Sequence, residues 1–396
     1  MNSEARSTRG GRIHSLDGVR GVAALVVLIH HAALLSPVLA ATYFSSSTTT
    51  SDNALAWWLT YTPLHLLWEG DGAVYIFFVL SGAVLTLPFI GRPFRAKSFY
   101  GQRILRLYLP IWAAVLLAAV TVYLVPRVGG TGNDWLNNWR AEHVTAAVLV
   151  GDLTLVRGPG GLATPLWSLQ WEILFSLALP VYLWLAFKTR GYVACGIAGL
   201  VLLSSASTYL DGTAQSILKY MPMFMVGVVM IVERRALERW GEKITSRRGL
   251  WPIIFTAGCL LVGAGWYVIP LTPGQIVHGL TVGPMVLGAA IIIFAAIYWR
   301  GLRAALEAAP AQWLGKISFS LYLIHEPIIV SLGYVMGSAF APLAAILGIV
   351  ISLLLAPAFF RLIELPSHRL SKFVGSKFQS KISSAPHMVK TGRKSG

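Results

Sequence analysis

Acidic residues are scarce in this chain: 16 Asp and Glu stand against 32 Lys and Arg in 396 residues, and charged side chains make up only 12%. A soluble surface carries about twice that share, so a soluble multidomain protein is excluded although the length would allow two or three domains. Cysteine is scarcer still. Cys195 and Cys259 fall in different apolar runs, which argues against a structural disulfide and a cysteine-ligated metal; no metal site is expected. No Walker-type loop, HExxH pair or GxSxG elbow occurs, which removes the common signatures of nucleotide hydrolases, zinc proteases and serine hydrolases. A cleavable signal peptide is not expected, because the first apolar run starts behind Arg6, Arg9, Arg12 and Arg20 with no small-residue cleavage site.

What the chain does have is long apolar runs. Hydrophobic residues reach 56% and mean hydropathy is +0.66, the composition of a polytopic membrane protein. Windows of about twenty residues place spans near 18–40, 72–91, 107–126, 166–187, 192–210, 216–232, 251–270, 280–299, 317–339 and 342–363. The expected fold is therefore an all-α bundle of about ten transmembrane helices. Arg92, Arg95, Lys97, Arg103 and Arg106 share the loop between spans two and three, and alternate later loops repeat the bias. Only Arg127, Arg140, Arg157 and Lys219 fall clearly on the opposite side. The positive-inside rule then places both termini in the cytoplasm. This distribution explains the net charge of +16 by topology and not by nucleic-acid binding, and the lipid bilayer is the expected surrounding.

Three regions follow: a basic N-terminus at 1–12, a membrane domain at 13–366 and a basic tail at 367–396 that lacks an apolar face and is expected to lie disordered on anionic lipid. Two outer segments are long. Residues 41–71 run from Ser45–Ser51 through Trp57, Trp58, Trp68, Glu69 and Asp71, which predicts a loop and an interfacial aromatic helix. Residues 127–165 mix Trp135 and Trp139 with Asp134 and with glycines including Gly129, Gly130 and Gly132. Such outer tryptophans serve either as an aromatic belt or as sugar-stacking surfaces.

Ionisable groups within the spans are the candidates for chemistry. Arg20 sits at the mouth of the first span, with His30 and His31 deep inside. The eleven residues from Arg20 to His31 correspond to about 16 Å of helix, which would put His31 near the midplane. Glu172, His325 and Glu326 complete the set, and both Glu172 and His325 are expected to approach His31 in depth. A carboxylate there would orient the imidazole and raise its basicity. The alternative for each is a buried polar contact that fixes helix packing. Arg103 and Arg106, at i and i+3 on one helix face, suit phosphate oxygens or serve as topology anchors. Ser81-Gly82 marks a point of close approach.

Together these blocks resemble the acyltransferase 3 family of integral membrane O-acyltransferases. The matching elements are Leu16-Asp17-Gly18-Val19-Arg20 followed by His31, Phe77-Phe78-Val79-Leu80-Ser81-Gly82, Arg103-x-x-Arg106 with Pro110, and Leu166-Trp167-Ser168-Leu169 leading to Glu172 and Pro180. Two more are Ile317-Ser318-x-Ser320-Leu321-Tyr322-Leu323-x-His325 with Pro327, and Glu364-x-Pro366. The likeness runs from about residue 13 to 370. One departure is Gln102-Arg103, where many relatives have two adjacent arginines. The soluble hydrolase-like domain of some members is not expected here, which leaves acyl transfer to the membrane part.

The resemblance implies a cytoplasmic acyl-CoA donor, often acetyl-CoA, as a substrate and not a resident cofactor, with a carbohydrate or lipid-linked glycan hydroxyl as acceptor. A bacterial inner membrane is the expected location. In this reading Arg20, Arg103 and Arg106 hold the donor phosphates, His31 is the catalytic residue with Glu172 as its orienting carboxylate, and His30 is an extra neighbour. His31 acts as a general base or as an acyl-accepting nucleophile. Ser81, Tyr322 or His325 would supply the oxyanion donor. Two other classes use the same buried charges: a transporter or flippase for a sugar or lipid-linked glycan, and a glycan-binding assembly component without turnover.

Overall fold

A computed structural model describes residues 12–44, 53–127, 129, 131–138, 140–156, 158–271 and 275–383. Arg6, Arg9, Ser45–Ser51, Gly130, Trp139, Arg157 and the tail beyond Ser383 lie outside the described residues. The described chain is helical and contains no strand.

The first helices are α1 (His14–Ala33), α2 (Pro37–Phe44), α3 (Ala54–Tyr61), α4 (Gly70–Thr86) and α5 (Ala96–Leu124). After them come α6 (Asp134–Asn137), α7 (Ala146–Thr154), α8 (Leu166–Lys188), α9 (Val193–Ala206), α10 (Gly212–Val232) and α11 (Arg234–Thr245). The last third holds α12 (Leu250–Val262), α13 (Ala264–Val268), α14 (Gln275–Leu280), α15 (Val282–Tyr298), α16 (Arg300–Glu307), α17 (Ala309–Met336), α18 (Ala341–Phe359) and α19 (Leu365–Ser383). Among the described residues, eight helical segments are long and apolar enough to cross a membrane, and α9 and α12 are shorter apolar helices. The chain is a multi-pass integral membrane protein.

Three boundaries differ from the expectation, each for a local reason. The first span was expected to continue to about residue 40, but α1 stops at Ala33 and α2 starts on Pro37. Proline at a first helical position fits, while the residue before it is pushed out of the helical region. His31 thus lies in the last turn of α1 and not halfway along a span. The seventh span breaks at Gly263 into α12 and α13. The tail is the third: it is not disordered over residues 365–383 but forms α19, which packs along α5. Its buried face is Ser367, Ser371 and Gly375, spaced four apart. Small residues at that spacing let two helices approach closely without any apolar stripe, and the Gly375 carbonyl accepts from Ser98 Oγ at 3.4 Å.

The centre of the bundle is the pair α1 and α17, which run side by side. A Cβ on Gly21 would collide with the Gly315 backbone, and one on Gly315 with the Asp17 carbonyl. A second close crossing joins α4 and α10, where a Cβ on Gly227 would meet the Val79 carbonyl and one on Gly82 the Phe224 carbonyl. By contrast, Gly196 on α9 faces open space. Gly227→Ala is expected to cost about 1–3 kcal/mol by overpacking and to lower the thermal midpoint in detergent. Gly196→Ala removes a helix-interior glycine and should leave the midpoint equal or higher. Equal effects of the two substitutions would contradict this packing.

Candidate active site

A cavity of about 520 Å³ opens between α1, α4, α5, α8, α17 and the start of α19. Six of the residues singled out in the sequence line it: Arg20, Ser81, Arg103, Arg106, Glu172 and Tyr322. His30, His31 and His325 lie beyond its inner end. There the Tyr322 hydroxyl meets Ser168 Oγ at 2.7 Å and donates to the Pro165 carbonyl at 3.1 Å.

The cavity wall holds both paired and unpaired cations. Arg103 pairs with Glu172 and its Nε donates to Ser176 Oγ at 3.0 Å. Ser81 Oγ donates to the same Glu172 carboxylate at 3.4 Å. Asp17 holds Arg12 at 2.7 Å and Arg20 at 3.5 Å. Arg106 is exposed to the cavity and has no carboxylate within ion-pair distance among the described residues.

Glu172 is not the partner of His31. The start of α8 is sunk into the bundle at the level of Tyr322, and from there α8 runs back toward Arg103. Six residues of helix carry Glu172 about 9 Å away from that level. The partner of His31 is His325, whose Nε2 lies 3.0 Å from His31 Nδ1.

Backbone carbonyls assign the tautomers of this pair, since a carbonyl only accepts. His325 Nδ1 lies 3.0 Å from the Leu321 carbonyl and therefore carries the proton, leaving Nε2 as acceptor. His31 Nδ1, 3.0 Å from the Val27 carbonyl, carries the other and shares it between Val27 and His325. Neutral His31 is left with an open lone pair on Nε2, which has no protein partner among the described residues. The imidazole is half-buried. The same accounting leaves Ser81, Tyr322 and His325 with their hydrogens committed to protein acceptors, so none is free as an oxyanion donor in this conformation.

Several supporting residues escaped the sequence reading. Asn133, fully buried, donates from Nδ2 to the Leu34 and Leu35 carbonyls at 3.0 and 2.9 Å and so caps the end of α1 beside His31. Its Oδ1 accepts from Leu136 N at 3.0 Å, which fixes α6 and sets the Trp135 ring 5.7 Å from the His31 ring. Arg140 lies over the other part of that assembly, 4.1 Å from the Trp135 centroid, and forms a 2.8 Å ion pair with Glu326 that is almost fully buried. The only signal for Asn133 was its place before Asp134 as a helix cap.

His30 points elsewhere. Its Nδ1 donates to the Trp68 carbonyl at 2.9 Å, and the turn that presents this carbonyl carries His65 and Glu69, both buried, with Nε2 and Oε2 3.0 Å apart. Burial pushes Glu69 up to about 8, assisted by Asp71, and pushes His65 down to about 3. The raised carboxyl stabilises the fold fully below its unfolded value near 4.3, and that contribution is lost as pH rises through about 8. His65 acts in the opposite sense, on the acid side. Glu69→Gln keeps an acceptor for the Gly72 N–H and cannot ionise. Between pH 6 and 9 the wild-type thermal midpoint is expected to fall more steeply than that of the variant; parallel curves would contradict the assignment.

The profile of the acyltransferase 3 family, described as an acyltransferase domain, matches residues 13–361. Acyltransferase MdmB of Streptomyces mycarofaciens is 26% identical over 297 residues, covering 67% of this chain and 70% of that protein. Acyltransferase R4 of Phoma sp. (strain ATCC 20986 / MF5453) is 25% identical over 349 residues, covering 70% of this chain and 72% of the relative. No solved structure gives a significant match. The family match extends over α1, α4, α5, α8 and α17, which carry the histidine pair and all of the cavity except its α19 side, and this chain belongs to the acyltransferase 3 family.

Proposed function

We propose that this acyltransferase takes its acyl group from acyl-CoA, with acetyl-CoA as the first donor to test, and passes it to a hydroxyl of a carbohydrate or lipid-linked glycan. Its basic end and both termini would face the cytoplasm of a bacterial inner membrane. The observation that carries this reading is the cavity, basic at its opening and ending one helical turn short of the His31–His325 pair. Arg20 and Arg106 take the donor diphosphate. Arg103 is already neutralised by Glu172 and shapes the wall, so the donor-binding role given to it in sequence moves to its neighbours.

Distances along the helices suit the donor. From Arg20 to His31 is about 16 Å of helix. The pantetheine arm, with a main chain equivalent to roughly four extended residues, reaches about 14 Å. The thioester then arrives at Tyr322, and displacement of the Ser168–Tyr322 contact opens the last step. His31 Nε2 takes the proton of the acceptor hydroxyl as its oxygen attacks the thioester carbonyl. The tetrahedral intermediate collapses, the C–S bond breaks, and the imidazolium returns the proton to the CoA thiolate. His325 is a positioning residue that holds His31 Nδ1–H.

Purified protein in nanodiscs, supplied with acetyl-CoA and a glycan pool, is expected to release free CoA thiol. His31→Ala should lower kcat by at least about 10²-fold. His325→Ala should lower kcat with the donor KM unchanged, and Arg106→Ala should raise the donor KM. Folded wild-type protein that neither binds nor consumes any short acyl-CoA would overturn the proposal.

A further inference from the structure

Beyond the histidine pair stands an aromatic wall. Along α17, Tyr322 lines the cavity, His325 follows one turn further from the opening, and Glu326 comes next. The level of Glu326 is therefore the side of the pair opposite the arriving donor. Trp135 and Arg140 stand there, and neither lines the cavity. The Trp135 side chain is buried, with only 5% of the residue exposed. Its ring centroid lies 5.7 Å from that of His31, which is contact distance for two tilted rings.

The indole is held on several sides. Asn133 ties α6 to the end of α1 through the Leu34 and Leu35 carbonyls, and the Tyr334 hydroxyl ties it to α17 by donating to the Leu136 carbonyl at 2.8 Å. Arg140 covers the ring with its guanidinium carbon 4.1 Å from the centroid. Its Nη1 donates to the Trp135 carbonyl, and its Nη2 is anchored on Glu326 at 2.8 Å. A close-packed wall fixed in this way yields little to an added methylene.

We propose that Trp135 sets the length of the transferred acyl group, admitting acetyl and excluding butyryl and longer chains. This rests on the acyl-CoA reading. With the donor diphosphate at Arg20 and Arg106, the pantetheine arm, the sulfur and the acyl group succeed one another away from the opening. A thioester that reaches His31 thus points its acyl chain onward, and the indole is the next surface on that path.

The test compares release of free CoA thiol from acetyl-CoA and from butyryl-CoA on one nanodisc preparation with one glycan pool. The ratio of the two kcat/KM values then does not depend on how much of the protein is folded. Wild type is expected to favour acetyl-CoA by about tenfold or more, the scale on which methylenes are discriminated in a fixed pocket. Trp135→Leu and Trp135→Ala should each raise the butyryl-to-acetyl ratio by about tenfold or more, and Trp135→Phe by less. Wild type that uses the two donors alike, or a ratio that stays constant through all three variants, overturns the proposal and leaves the donor reading intact. A constant ratio with a raised glycan KM would overturn it in favour of an acceptor-binding role for the indole. Failure of folded wild type to consume either donor overturns both readings.

Discussion

The structure depends on how closely α1 and α17 can approach. In a bilayer no hydrophobic effect drives one helix against another, so association rests on backbone proximity and close packing. Gly21 and Gly315 let these two backbones touch, with no room for a Cβ on either. Because the helices are rigid and start from the same end, that one contact sets the register along their whole length. Ten residues beyond Gly21 is His31, ten beyond Gly315 is His325, and the two rings meet at 3.0 Å although the residues are nearly 300 apart in sequence. A shift of a single turn would separate them by about 5 Å.

Around this axis the buried charges are arranged on either side of the histidines. A buried ion pair gains little unless its remaining valences are satisfied, and in the two pairs here most are, the Arg140 Nε excepted. Ser81 and Ser176 complete Arg103–Glu172, while Thr164 donates to Glu326 from both N and Oγ1 at 3.3 and 3.2 Å. What attracts an anion is therefore the set left over, Arg106 and Lys316, and both face one cavity. Apolar walls strengthen their field there.

Much of this was legible in the sequence because an ionisable group in an apolar run is conspicuous. Arg20, His31, Arg103, Arg106, Glu172 and His325 all announced themselves that way. Depth along a helix could be counted, but the direction a side chain takes around the helix could not. Depth also failed where a helix begins inside the bundle, as α8 does, and so Glu172 was assigned to His31 and found with Arg103. Asn133 and the Ser367-Ser371-Gly375 face went unread for a different reason. Small and neutral residues carry structure by what they permit, a capped helix end or a close approach, and leave no mark in hydropathy or charge.

The choice of a second histidine beside the first has a chemical consequence. A carboxylate facing His31 would bring a net charge into the middle of the bundle and would need its own hydrogen-bond donors. The nearest candidate, Glu326, is turned away and fully engaged by Arg140 and Thr164. His325 instead offers a neutral acceptor whose own proton is fixed on a backbone carbonyl. The chain of contacts from Leu321 through His325 to His31 therefore sets the tautomer without adding charge, and it leaves a single open lone pair at His31 Nε2. An acceptor nitrogen prepared in this way is aimed before any ligand arrives, and the Tyr322 hydroxyl stands between it and the cavity.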